Sequence, residues 1–171
     1  MLHSLALSRG AQERRPEAIT IFAEALQLER SLANRPGIAQ ALAALGLAVL
    51  HNGDAPRART LFEEALHIRQ AINDTWAVAL SYDDLARADL VEGHLQTAVA
   101  LLKRSIALLY PMNEQLTVSY RLDALAWACA LLGQGPRAAK LAGAAAAIRA
   151  THRKIHLPIY APPHQRLCPR P

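Results

Sequence analysis

Two predicted helices each carry an acidic residue together with aliphatic, aromatic or basic side chains at spacings of three and four residues. Such spacings place residues on one face of a helix, so each set forms a stripe. The stripes consist of Leu80, Asp83 and Arg87, and of Tyr120, Asp123 and Trp127. Aromatic and arginine side chains beside a carboxylate suit the capture of a peptide or protein partner. We therefore predict a partner-binding groove that these six residues line.

A structural interpretation stands beside this hypothesis. Asp83 and Arg87 would form an ion pair across one helical turn, which contributes roughly a few tenths of a kcal/mol. Trp127 would pack in the interior and the earlier Trp76 under the linker that precedes its helix, as aromatic residues at helical spacing usually pack. The equivalent face forty residues before the first stripe carries Gln40.

No motif typical of an enzyme occurs in the 171 residues. Asp83-Asp84 and Glu63-Glu64 are adjacent pairs, and neighbours along a helix point to different faces, so they are poor acid–base pairs. A glycine-rich phosphate loop, a serine elbow and a His-Glu metal motif are all absent. We predict a protein without catalytic activity that needs no cofactor.

Metal chemistry has one candidate set, which lies near the C-terminus and consists of His152, His156, His164 and Cys168. Histidine and cysteine side chains are the ligands that zinc prefers. Five prolines between residues 158 and 171 prevent a preorganised helical site there. We predict a disordered basic tail over 151–171 and no metal site.

The chain repeats itself every 40 residues. Each copy has a small residue, a bulky one four positions later and a small one three further on, and a Leu-Gly or Leu-Ala pair precedes this run. Small residues let neighbouring helices approach closely, and the bulky residue fills the remaining space. The residues that carry the pattern are Leu45, Gly46, Ala58, Phe62, Ala65, Leu85, Ala86, Ala98, Leu102, Leu125, Ala126 and Ala138.

Glycine and capping residues divide each repeat into two helices. Gly53, Gly93 and Gly133 stand where the first helix ends, because glycine readily adopts the left-handed cap conformation. Candidate N-caps of the first helices are Asn34, Asp74 or Thr75, and Asn113. Leu5-Ala6 aligns with Leu45-Gly46, so the first unit is expected to be truncated, with Leu2, Leu5 and Leu7 lacking a preceding partner.

Composition agrees with an all-α fold. Ala and Leu fill 63 positions, whereas strand formers are sparse. We predict an α-solenoid of helix-turn-helix repeats with period 40, of about three and a half to four units, over residues 1–150.

Charge and hydropathy limit the partners. Residues 1–150 hold fifteen basic and fourteen acidic residues, so this region is not a nucleic-acid footprint. No run of eighteen apolar residues and no basic targeting region occurs, and two cysteines do not make a disulfide framework. These features predict a cytoplasmic protein that binds neither membranes nor nucleic acid directly.

The repeat resembles the tetratricopeptide repeat, with Leu42, Leu45-Gly46, Ala58, Phe62 and Ala65 as its best copy. It departs from that family in length, 40 residues against about 34, and Asp89 stands where a tyrosine is usual. A HEAT-type helical pair also fits the period, but the small-x3-aromatic-x2-small run favours the tetratricopeptide repeat. The resemblance implies helical hairpins whose first helices line a binding surface.

A narrower resemblance concerns residues 1–150, including the run 137–149 and Leu157-Pro158. They are similar to the C-terminal sensor arm of signal-transduction ATPases with numerous domains, the maltose-regulator-like, winged-helix or LuxR-type bacterial transcriptional regulators. This resemblance implies a module that binds a protein or a small effector and is a separated arm or fragment of a regulator. A free-standing adaptor is the alternative. An uncapped first repeat would favour self-association.

Overall fold

The structure, a computed structural model, describes the backbone of residues 15–160 and the side chains of residues 17–152. Within this range the chain forms seven α-helices and no strand. The helices are α1 (Arg15–Ser31), α2 (Arg35–His51), α3 (Ala55–Ala71), α4 (Thr75–Glu92), α5 (Leu95–Leu109), α6 (Gln115–Leu131) and α7 (Gly135–Tyr160). The predicted start of the first repeat, at Leu2, Leu5 and Leu7, lies outside the described residues.

Helix starts repeat with the period of the sequence. Helices α1, α3, α5 and α7 begin forty residues apart, and so do α2, α4 and α6. Connections of two or three residues join successive helices, except that a 3-10 turn, Tyr110–Met112, follows α5. The predicted all-α fold of repeated helical hairpins is confirmed.

Short polar side chains and glycines set the helix ends. Asn34 and Asp74 accept hydrogen bonds from the backbone N–H groups of Gly37, at 3.4 Å, and Ala77, at 2.9 Å. These bonds satisfy donors that a helix N-terminus leaves unpaired. The three turn glycines, Gly53, Gly93 and Gly133, all have positive φ, as the sequence predicts.

The predicted cap at Asn113 is wrong. Asn113 has φ +60 at the end of the 3-10 turn, and Glu114 takes the N-cap position of α6 without a side-chain cap bond. Asn113 is the counterpart of Asn73, which also has positive φ, so the prediction was displaced by one residue. The longer glutamate side chain does not replace the short capping groups of the earlier repeats.

The described chain forms two compact units, which meet in sequence at Leu108 and Leu109. Unit 1 contains α1 to α4 and all of α5 but its last residue, and unit 2 contains the 3-10 turn, α6 and α7. The predicted domain boundary at residue 150 falls inside α7, which continues to Tyr160. No glycine or proline interrupts the sequence between 144 and 157, so the helix has no reason to end at 150.

The interior of unit 1 is built by the repeated small and bulky residues. Phe62 from α3 is fully buried beside Gly46, and Leu42, Leu45 and Val49 from α2 are buried in the same cluster. The predicted packing residues buried in unit 1 are Leu45, Gly46, Ala58, Phe62, Ala65, Leu85, Ala86, Ala98 and Leu102. The hydroxyl of Ser105 in α5 also donates to the carbonyl of Ala79 in α4 at 2.7 Å.

Unit 2 is a single hairpin in which α6 packs along α7. Leu125, Ala126 and Cys129 of α6 are buried, as is Ala145 of α7. Ala138 is only half-buried, and position 142, which is bulky in the earlier repeats, is an exposed alanine. The side chains of α7 are therefore too short to reproduce the packing of the earlier second helices.

Candidate functional site

The first predicted stripe lies on α4, the first helix of its hairpin. Leu80 is half-buried, Asp83 is buried and Arg87 is exposed. Arg87 donates from Nε and Nη2 to Asp83 Oδ2, at 3.1 and 3.0 Å. The ion pair of the structural interpretation is thus present, and it holds the Arg87 guanidinium against the helix while leaving half of its side chain exposed.

A cavity of about 290 Å³ lies between α2 and α4 in unit 1. Leu80 is part of its wall, together with Gln40 of α2 and Trp76 in the first turn of α4. The Trp76 side chain is 46% exposed, so it is a wall of the cavity and not part of the interior. The remaining lining residues are Pro36, Ala39, Arg69, Ile72, Asp74 and Ala77.

A buried arginine from α3 also lines this cavity. Arg69 Nη1 donates to Ser81 Oγ at 2.7 Å and to the carbonyl of Ala77 at 3.3 Å. Asp84 Oδ2 lies 3.9 Å from the same nitrogen. Burial lowers the pKa of Arg69, and the carboxylates of Asp84 and Asp74 oppose this effect. The role of Arg69 could not be predicted from the sequence, because nothing in its local pattern distinguishes it from an exposed helix arginine.

The second predicted stripe lies on α6 in unit 2. Tyr120 and Trp127 are each 55% exposed, so packing of Trp127 in the interior is the wrong interpretation. Asp123 between them accepts from Arg149 Nη1 of α7 at 2.5 Å. This stripe is therefore an aromatic surface with a neutralised carboxylate in its middle.

The six predicted groove residues thus belong to different units. Leu80, Asp83 and Arg87 share one face of α4, and only Leu80 reaches the cavity. Tyr120, Asp123 and Trp127 share one face of α6. Each unit consequently has its own candidate binding surface.

A second and larger cleft in unit 1, of about 940 Å³, lies between α3 and α5. At one end Arg59 of α3 donates to the carboxylates of Asp89 and Glu92 in α4. These hydrogen bonds raise the pKa of Arg59 above its ordinary value. The far wall is formed by α5, including Leu101 and Arg104. Asp89 stands where tetratricopeptide repeats carry a tyrosine, which was the one signal in the sequence for this polar cluster.

Asp89, Glu92 and His94 are the described residues whose side chains could share a metal ion, since their ligand atoms lie within 4.8 Å of one another. His94 Nδ1 lies 3.8 Å from Asp89 Oδ1 and 3.5 Å from Glu92 Oε2. Arg59 already pairs with both carboxylates, so the group is an ion-pair cluster. Of the predicted tail set, only the side chain of His152 lies within the described residues.

Helices long and apolar enough to cross a membrane do not occur in the described part of the chain.

The sequence model of the tetratricopeptide repeat family matches residues 1–71. No curated protein sequence matches the chain. Among solved structures, BtubC (BKLC) from P. vanneervenii is similar, with a TM-score of 0.73 and 19% identity. The similarity covers 93% of this chain and 62% of that one, so the chain spans less than two thirds of BtubC.

Two crystal structures of the nearly identical TPR-like repeats of a kinesin light chain-type protein from Podosopora anserina are also similar. The first has a TM-score of 0.68 and 25% identity over 85% of this chain and 73% of that one. The second has a TM-score of 0.56 and 19% identity over 86% and 94%. Residues 1–71 therefore match the tetratricopeptide repeat family, and the chain has an all-α fold shared with TPR-like repeat proteins.

Proposed function

We propose that this protein is an interaction module that binds a peptide segment of a partner protein at the first helices of its repeats. The observation that carries the proposal is the cavity between α2 and α4, which has an exposed tryptophan on its wall. The tetratricopeptide repeats of residues 1–71 support it, because repeats of this kind present extended binding surfaces.

Trp76 and Leu80 supply the apolar part of this surface. Tryptophan is enriched among the residues that dominate binding energy, because its large ring loses much water-accessible area on contact. Gln40 on the opposite wall offers an amide that can donate to or accept from a peptide backbone. The Asp83–Arg87 pair lies further along α4 and would meet polar side chains of the same peptide.

Selection from a random peptide display library tests this proposal. Peptides that bind the full chain should lose at least about tenfold in affinity for Trp76→Ala combined with Leu80→Ala, since removing a binding hot spot costs more than about 1.4 kcal/mol. Val91→Ala is the matched control, because Val91 is another exposed apolar residue of α4 that does not line the cavity. Selected peptides that bind the double variant and the control equally would contradict the proposal.

Within this class we propose that the module is an effector-sensing arm of a bacterial transcriptional regulator, cytoplasmic and not catalytic by itself. The similarity of residues 137–149 to such arms supports this origin, and the cleft between α3 and α5 could receive a small effector. Its volume of about 940 Å³ is in the range of ligand pockets, about 300–1,000 Å³. A free-standing adaptor that joins two proteins is equally consistent with the repeats.

The DNA around the reading frame distinguishes these two roles. A regulator arm should be joined to, or lie beside, a frame that encodes a phosphate-loop ATPase. A free-standing adaptor should have its own promoter and unrelated neighbours.

Self-association is a further proposed property of the first repeat. Ile21 and Leu28 project from α1, Leu32 directly follows this helix, and each of the three is at least 60% exposed. The spacing of seven residues places Ile21 and Leu28 on one face of α1, and Leu32 lies beyond the end of the helix. A second copy of the chain could cover this face.

A further inference from the structure

Arg69 has hydrogen-bonding capacity that the protein itself does not use. Its side chain is more than nine-tenths buried. In the part of the chain that the structure describes, every hydrogen bond of this guanidinium comes from Nη1. Nε and Nη2 are not among the enclosed polar atoms without a partner, and Arg69 is part of the cavity wall. A buried arginine with unused donors in the wall of an open cavity favours a ligand with an oxygen acceptor.

The charges around the cavity distinguish between kinds of acceptor. Asp84 Oδ2 lies 3.9 Å from Arg69 Nη1, and the carboxylate of Asp74 also acts on the guanidinium. With both acids ionised, the three groups together carry one negative charge. A carboxylate that enters the cavity would be repelled by these two acids, whereas an uncharged carbonyl group would not be subject to this charge–charge repulsion.

Acceptors for a donor are also present on the cavity wall. Asp74 uses Oδ1 to cap Ala77, and its carboxylate has further lone pairs. Gln40 offers an amide oxygen from the facing helix. A carboxamide combines one carbonyl acceptor with an NH2 donor, so it can satisfy Arg69 and one of these acceptors at once.

We propose that this cavity is a specificity pocket for the carboxamide side chain of a glutamine or asparagine in the bound peptide. The carbonyl oxygen accepts from Arg69, the NH2 group donates to Asp74 or Gln40, and an adjacent apolar side chain lies on Trp76. The inference rests on the proposed peptide-binding function and names the residue recognised. A volume of about 290 Å³ equals roughly ten water molecules of about 30 Å³ each, enough for one such side chain.

Titration of the full ¹⁵N-labelled chain with three capped tripeptides tests this inference. The probes are acetyl-Leu-Gln-Leu-N-methylamide, which has no carboxamide NH2 group outside the glutamine side chain, and its counterparts with Glu or Met in the middle. The indole N–H of Trp76 reports on the cavity, and that of Trp127 in unit 2 is the reference within the same molecule. The glutamine peptide should shift the Trp76 signal with about tenfold higher affinity than the methionine peptide, which leaves Arg69 unsatisfied. The glutamate peptide should bind more weakly than the glutamine peptide.

Substitution of Asp74 provides a second measurement in which Arg69 itself is retained. Asp74→Asn keeps an N-cap as good as aspartate and removes one negative charge. The ratio of the affinities of the glutamine and glutamate peptides should then decrease several-fold. Asp54→Asn changes the equivalent cap of α3, which is not in the wall of the cavity, and should leave the preference unchanged.

Several outcomes would overturn the inference. Equal affinity for the glutamine and methionine peptides would show that Arg69 does not recognise the carboxamide. Tighter binding of the glutamate peptide than of the glutamine peptide would assign the pocket to a carboxylate. The three tripeptides could all fail to shift the Trp76 signal while display-selected peptides still need Trp76 and Leu80 for binding. That combination would refute the carboxamide pocket alone. Loss of that dependence as well would refute the peptide-binding function itself.

Discussion

Gly46 lies so close to the ring of Phe62 that a Cβ atom at position 46 would be 2.5 Å from Phe62 Cε1. Both residues are buried, and neither can move away without disturbing the contact between α2 and α3. The same two repeat positions are occupied by Ala86 and Leu102 in the next hairpin. The hairpin with the larger residue on its second helix thus has the smaller residue at the facing position of its first helix, as close packing requires.

Gly46→Ala should therefore destabilise the protein, although alanine is the better helix former. Overpacking costs about 1–3 kcal/mol, against about 1 kcal/mol gained in helix propensity. Adding Phe62→Leu creates the pair that the next hairpin uses and should recover part of the loss, which a double-mutant cycle by thermal or urea unfolding measures.

Gly143→Ala is the matched control for this experiment. Gly143 lies inside α7, and a Cβ atom there would meet nothing within 4 Å. This substitution should raise the melting temperature, with a gain of up to about 1 kcal/mol. A Gly46→Ala protein as stable as Gly143→Ala would show that the ring of Phe62 gives way freely.

The close pairing of Gly46 with Phe62 could be predicted, whereas the cavity beside Arg69 could not. The period of 40 residues puts the small and bulky positions on facing helices, and a glycine at one of them indicates contact with a large neighbour. Arg69 is chemically like Arg57 or Arg59 in sequence, and its burial depends on where α4 lies. The partners of the ion pairs between helices are likewise far apart in the chain. Arg59 and Asp89 are separated by 30 residues, and Asp123 and Arg149 by 26.

Asp89→Ala should destabilise the protein far more than the removal of an exposed acid. Asp89 is buried and accepts from Arg59, so its loss leaves a partly buried guanidinium with Glu92 alone. Removing one member of a buried pair costs about 3–5 kcal/mol, and the partial exposure of Arg59 reduces this to about 1–3 kcal/mol. Urea unfolding at two salt concentrations measures the loss.

Glu64→Ala is the comparison for Asp89. Glu64 pairs with Arg30 at 2.8 Å, and both side chains are nearly half exposed. Its loss should cost about 0–1 kcal/mol and depend on salt. Equal losses for the two variants would mean that Arg59 finds an alternative partner or solvent in the absence of Asp89.

The apolar face of α1 predicts concentration-dependent association. If a second copy covers Ile21, Leu28 and Leu32, the substitution Leu28→Lys should shift the protein to the monomer, because it places a charge in an apolar contact. Sedimentation velocity over a hundredfold range of concentration measures the change. Leu131→Lys is the control, since Leu131 is an exposed leucine at the end of α6. Identical sedimentation of wild type and Leu28→Lys at every concentration would exclude this face as the contact.

The aromatic stripe of unit 2 predicts a loss of binding without a loss of stability. Trp127→Ala removes a side chain that is more than half exposed, so the melting temperature should change little. Asp123→Ala releases Arg149, and a pair this exposed contributes about 0–1 kcal/mol. If the stripe binds a partner, the double variant should abolish retention of that partner in a pull-down while its circular dichroism spectrum stays unchanged. Trp76→Ala in unit 1 serves as the parallel variant. One outcome is that display-selected peptides lose affinity for Trp76→Ala but keep it for the double variant of Trp127 and Asp123. That result would assign recognition to the cavity between α2 and α4 and leave the α6 stripe without a binding role.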